Sequence, residues 1–209
     1  MKRIVKPLVI VSALCVMGYL FYQSAQDTRS APYTMQRSHL SGWKVTTESA
    51  STPSAPVLSL RPPREITAGL FRQLFQRAAE SMNGPSIPLV PLVLREEYES
   101  AFAGTTTAEA LAAAARESGL EAGGFAPRCM MLKRDSAPGV TRQLYAVLFD
   151  APVFTAFRER LSALITPDTA YNPSALAPVL FVAASDAAFN SWLPLRAGES
   201  DCMAPISLE

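Results

Sequence analysis

Residues 87–94 read IPLVPLVL, and where this segment sits decides the fold. An uncharged apolar run of this length, with β-branched Ile87, Val90 and Val93, has the character of a buried strand. Pro88 and Pro91 restrict it. Each lacks a backbone donor, which suits an edge strand or a bulge better than the middle of a sheet. Asn83-Gly84-Pro85 just upstream is a stop for a preceding helix. REEYESAF (95–102) just downstream reads as a short helix.

Toward the C-terminus, Thr106-Thr107-Ala108-Glu109 fits a capping box, and the EALAAAARES that continues it has strong helix propensity up to Gly119. FAPRCMML (125–132) and RQLYAVLF (142–149) read as strands joined by the turn-rich KRDSAPG, a hairpin with a long loop. APVFTAFRERLSALI (151–165) places Val153, Phe154, Phe157, Leu161, Leu164 and Ile165 on one helical face, and Arg158, Glu159 and Arg160 on the exposed one. LAPVLFVA (176–183) is an apolar strand. Ser185 is placed to cap a last helix over DAAFNSWL, and the tail from Arg196 reads as irregular.

From about 87 to 183 the order is therefore β-α-β-β-α-β. This predicts an α+β fold with a ferredoxin-like core, two helices on one face of an antiparallel sheet. The element order resembles that of peptidoglycan-binding SPOR domains. Their Gly-aromatic strand motif is missing from RQLYAVLFDAPVF (142–154), so the resemblance stops at element order.

Toward the N-terminus, EITAGLFRQLFQRAAESMN (65–83) predicts an extra amphipathic helix, with Ile66, Leu70, Phe71, Leu74, Phe75, Ala78 and Met82 on its apolar face. Short strands are expected at 43–48 and 56–60, with SASTPSAP (49–56) as a loop. Residues 26–41 read as an exposed spacer. Before it, Lys2, Arg3 and Lys6 precede an uncharged apolar run from Pro7 to Tyr22. A helix of that length rises about 24 Å, against a hydrocarbon core of about 30 Å, and Tyr19, Phe21 and Tyr22 cluster where an aromatic belt would lie. Cleavage sites of the A-x-A kind are poor, because Gln23 precedes Ala25 and Arg29 precedes Ala31. The reading is a cytoplasmic basic stub (1–6), a transmembrane signal anchor (7–25), the spacer, and an extracytoplasmic domain (42–209). A cleaved signal peptide is the alternative. The charge bias and composition place the chain in a bacterial inner membrane, N-terminus in the cytoplasm and domain in the periplasm.

That compartment is oxidising, which bears on the three cysteines. With Cys15 in the anchor, Cys129 and Cys202 are left to pair, tying a mid-chain strand to the tail. Two cysteines and the lone His39 make no tetrahedral ligand set, so neither metal nor cofactor is expected. Four of the nineteen basic residues (Lys2, Arg3, Lys6, Arg29) but only Asp27 of the eighteen acidic ones precede Tyr33. The remainder is slightly negative, which argues against nucleic acid as a partner.

No G-x-S-x-G, P-loop, HExxH or GxGxxG motif is present. His39 sits in the polar spacer without a positioned partner. Glu97, Asp150 and Asp186 follow strands, where carboxylates can line a cleft but commonly cap the next helix. The sequence therefore points to a tethered envelope protein that binds another envelope protein, with exposed strand edges and helix 65–83 as contact surfaces. The competing reading is a tethered hydrolase using Glu97, Asp150 or Asp186.

Overall fold

The computed structural model describes residues 12–20, 22–24, 28, 30–49, 52–78, 80–137, 140–165 and 171–209. The fold is α+β, with two sheets around one hydrophobic core. The larger sheet has the order β1-β8-β5-β6-β7, built from β1 (Tyr33–Met35), β5 (Ala126–Ala137), β6 (Val140–Asp150), β7 (Val179–Ala184) and β8 (Cys202–Leu208). All its pairings are antiparallel except β1 with β8. The smaller sheet is an antiparallel triplet of β2 (Lys44–Thr47), β3 (Pro56–Arg61) and β4 (Val90–Leu94).

Helix α1 (Arg64–Arg77) packs Ile66, Leu70 and Leu74 inward and touches both β1 and β7. Those are the two outermost strands of the larger sheet. The sheet therefore curls around α1, and the helix fills the gap between its edges. Helix α2 (Ala108–Glu117) starts where the Thr107 hydroxyl accepts from Ala110 N–H at 3.2 Å and covers β2 and β3. Helix α3 (Pro152–Leu161) follows β6 directly, with Pro152 at its first turn, where a missing N–H costs nothing. Trp43 and Phe125 (4.7 Å between centroids) and Phe149 form an aromatic knot between the two sheets.

The ferredoxin-like order is not what forms. It would insert the 87–94 strand between β6 and β7, but β6 pairs directly with β7, and β4 pairs with β3. The cause lies in Pro91. A central strand needs donors toward both neighbours, and β4, with Pro91 opposite Ser59, takes an edge instead.

The expected spacer also differs. Tyr33 and Met35 are buried in β1, and Arg37–Leu40 forms a 3-10 turn. The tail read as irregular is β8, and the helix expected over DAAFNSWL is only the 3-10 turn Phe189–Trp192, because Pro194 keeps Leu193 extended. Residues 12–20 and 22–24 are helical. Among the described residues no helix is long and apolar enough to cross a membrane, and residues 7–11, 21 and 25 of the expected anchor lie outside them.

The expected disulfide is present. Cys129 and Cys202 are bonded with Cα atoms 5.6 Å apart, across a bulge where β8 meets β5. Ion pairs Lys133–Asp201 (2.7 Å) and Arg128–Glu199 lie beside it. Partial burial alone would raise the Asp201 carboxyl, but Lys133 and the Gly198 N–H outweigh it and hold it below its ordinary value. The bridge closes a span of 73 residues, which the chain-entropy account values at about 4 kcal/mol. Cys129→Ser/Cys202→Ser should lower the unfolding free energy by about that amount in urea titrations and abolish the mobility difference between reduced and oxidised protein.

Candidate functional site

The three carboxylates singled out by sequence do not converge. Glu97 lies in the helical turn Arg95–Glu97 that follows β4 and is taken by Arg158 of α3. Arg158 is fully buried (0% exposed), which corrects its assignment to the outer face of its helix. Its Nη2 donates to Glu97 Oε1 (2.6 Å) and Asn172 O (2.9 Å), and its Nη1 to Glu97 Oε2 (2.9 Å) and Leu92 O (3.0 Å). Its Nε donates to Pro173 O at 3.1 Å. All five guanidinium N–H groups are thereby used. Glu97 Oε2 also accepts from Leu94 N–H at 2.9 Å. Tyr171 lies under the guanidinium, 4.9 Å from centroid to Cζ. Burial pushes its phenol up, Arg158 opposes that, and Glu97 adds to it. A carboxylate so fully engaged is a joint rather than a free acid or base.

Asp186 and Asp150 sit at opposite ends of β6. Asp186 Oδ2 accepts from Arg142 Nε at 2.6 Å, and Arg142 also bonds Ser191 and lies over the Trp192 ring. Asp150 is the exposed last residue of β6, and the strand rises roughly 27 Å between Arg142 and Asp150. His39 belongs to the folded body, in the 3-10 turn, with its carbonyl accepting from Trp43 Nε1 at 2.8 Å. Among the described residues no group of three or more His, Cys, Asp or Glu is arranged to hold a metal ion.

The sheet edges, expected as contact surfaces, are closed by the chain itself. On β1, Thr34 N–H donates to Gln73 Oε1 and Thr34 O accepts from Gln73 Nε2, both at 2.8 Å. On β2, Val45 N–H donates to Glu121 (2.8 Å) and its carbonyl accepts from Arg116 (3.4 Å). On β4, Arg158 takes Leu92 O and Glu97 takes Leu94 N–H. On β7, Asn83 pairs with Ala184 in both directions. Strand addition by a partner needs unpaired backbone groups, and each outer strand has them occupied at these positions.

What stays open lies beside α1. Phe75, placed by its spacing on the apolar face, is instead 58% exposed, stacked on half-buried Phe71 at 6.1 Å. The irregular strap 84–89 runs past it, so close that a methyl group on Gly84 would lie 3.4 Å from Phe71 Cδ2. One hollow of about 280 Å³ lies between strap and helix, over Ala68, Phe71 and Val182. A second of about 520 Å³ lies toward Phe181, Phe189 and Ile87, which is 38% exposed. Both border on Pro85 and Ser86, so the strap is the ridge of a double trough. Arg64 is its only charged lining residue among those described. Sequence reading named helix 65–83 as a contact surface but not this face of it, because the helical period assigns Phe71 and Phe75 to the core; only the strap shows which of them is covered. The chain matches no protein-family description, no curated protein and no solved structure.

Two outcomes test the assignments to structure. Arg158→Met should cost about 3–5 kcal/mol of unfolding free energy by stranding Glu97, and Arg158→Met/Glu97→Leu should cost less than the sum of the two single changes, read from urea midpoints. The hydrogen bond from Arg142, opposed by partial burial and helped by Ala188 N–H, holds the Asp186 carboxyl below its ordinary value. Its folded pKa is depressed, so its contribution is present above the ordinary aspartate pKa of about 4 and lost as pH falls through the folded value. Asp186→Asn should flatten that part of the stability-against-pH curve and leave neutral pH less stable than wild type.

Proposed function

We propose that the protein is a non-catalytic docking or assembly component of the bacterial envelope. In this reading residues 7–25 anchor it in the inner membrane, the N-terminus is cytoplasmic, and the periplasmic domain binds another envelope protein. One observation carries the reading. The outer strands are capped at several positions by the chain's own groups, while an apolar trough and Phe75, stacked on half-buried Phe71, are left facing solvent. Leaving that much aromatic surface uncovered costs free energy that a partner would recover. The Cys129–Cys202 bond fits an oxidising compartment. The hydrolase alternative gains nothing comparable, since Glu97 and Asp186 are committed to arginines and Asp150 stands at the far end of β6 from Asp186.

The test is native electrophoresis of the full chain, extracted from membranes at native expression level. The wild type should migrate in a complex larger than itself. Phe75→Asp/Ile87→Asp should release it to its own size without loss of the disulfide, because both side chains are already exposed. A wild-type chain that migrates alone would defeat the proposal.

A further inference from the structure

The trough carries a charge pattern, and we infer from it that its occupant is an acidic amphipathic helix of a partner protein. The inference rests on the docking reading above and specifies the partner's chemistry. Along α1, Arg64, Ala68, Phe71, Arg72 and Phe75 follow one another at helical spacing and form one outward stripe. Arg64 and Arg72 are exposed, and neither has an ion-pair partner among the described residues. The eight-residue step from Arg64 to Arg72 rises about 12 Å along the helix. The other arginine at this end, Arg77, is already committed. It donates to Ala31 O (2.6 Å) and Pro32 O (2.9 Å) and lies over the Tyr33 ring. Glu65 lines a separate hollow with His39 and Gln73, so it does not answer the charge of the stripe.

Two unanswered cations thus bracket an apolar strip beside a concave apolar hollow. A segment that matches it carries two carboxylates about 12 Å apart with apolar side chains between, which is a helix with Asp or Glu at i and i+7 or i+8. A neutral helix would cover the arginines without pairing them, and a basic one would be repelled. A membrane surface also offers anions, but it is flat. The hollow between Phe71 and the Gly84–Pro88 strap is shaped to take discrete side chains.

The experiment uses the full chain in its native membranes, with p-benzoylphenylalanine replacing Phe75 or, separately, Ile87. After irradiation the trapped segment is mapped by mass spectrometry. The expected result is a cross-link to a helical segment bearing two acidic residues at that spacing. Its yield should fall about tenfold in Arg64→Glu/Arg72→Glu and recover when the two partner carboxylates are changed to lysine. The disulfide and the urea midpoint of the doubly substituted chain report that it remains folded. A trapped segment that is neutral or basic, or a yield indifferent to Arg64→Glu/Arg72→Glu, overturns the acidic helix but leaves the docking reading standing. Cross-links to phospholipid alone, or to nothing, overturn both.

Discussion

The rest of the structure depends on the bidentate pair between Arg158 and Glu97. It joins three segments that are distant in sequence: the end of β4, helix α3 and the loop at Tyr171–Pro173. Burying an arginine completely is costly unless every N–H is answered, and here three carbonyls and one carboxylate answer all five. The pair also fixes position. A guanidinium has a planar fork with set directions, so α3 can meet β4 in one register only. The same two side chains occupy Leu92 O and Leu94 N–H, outward groups of the edge strand β4. One interaction thus places a helix and closes a sheet.

That second role recurs around the molecule. Gln73 does for β1, and Glu121 with Arg116 for β2, what Glu97 with Arg158 does for β4, and Asn83 does it for β7 with its own backbone. A curled five-stranded sheet that stops short of a barrel has two edges to protect. α1 lies between them, supplying Gln73 to β1 directly, and the chain that leaves it supplies Asn83 to β7. A helix holding both edges must turn one face inward and leave the opposite face outward. The exposure of Phe75 is therefore a consequence of topology and needs no defect in packing.

Much of this was legible in the sequence, and the parts that were not have physical reasons. Strands β2 to β7 and helices α1 to α3 announce themselves by period, capping and turn residues. The cysteine pairing followed from count, once Cys15 was assigned to the expected anchor. Strands β1 and β8 were hidden because YTM is too short to show alternation, and CMAPISL buries only Ala204. Both strands exist through their partners, not through their own patterns. The ferredoxin-like order failed because element order does not specify which strands are neighbours. The information that decided it, a proline in IPLVPLVL, was visible, but its force depends on whether the strand is central. Arg158 was misplaced for a related reason. Helical period puts it beside Glu159 and Arg160, and nothing local reveals that Glu97, sixty-one residues away, comes to meet it. For the site, sequence located the carboxylates but not their engagement, and found α1 but not which aromatic the strap leaves bare.

The connection between the N-terminal segment and the body follows from the strand order. Among the described residues β1 is the first strand in chain order, and its one strand neighbour there is β8. β8 in turn reaches the sheet through a short, bulged pairing with β5. The chain ahead of Tyr33 is therefore tied to the sheet through β1, β8 and then β5, and to α1 through Gln73. The Cys129–Cys202 bond and the Lys133–Asp201 pair reinforce the β8–β5 pairing. Arg77, bonded to Ala31 and Pro32, adds a second fastening of the same entering chain, from α1 itself.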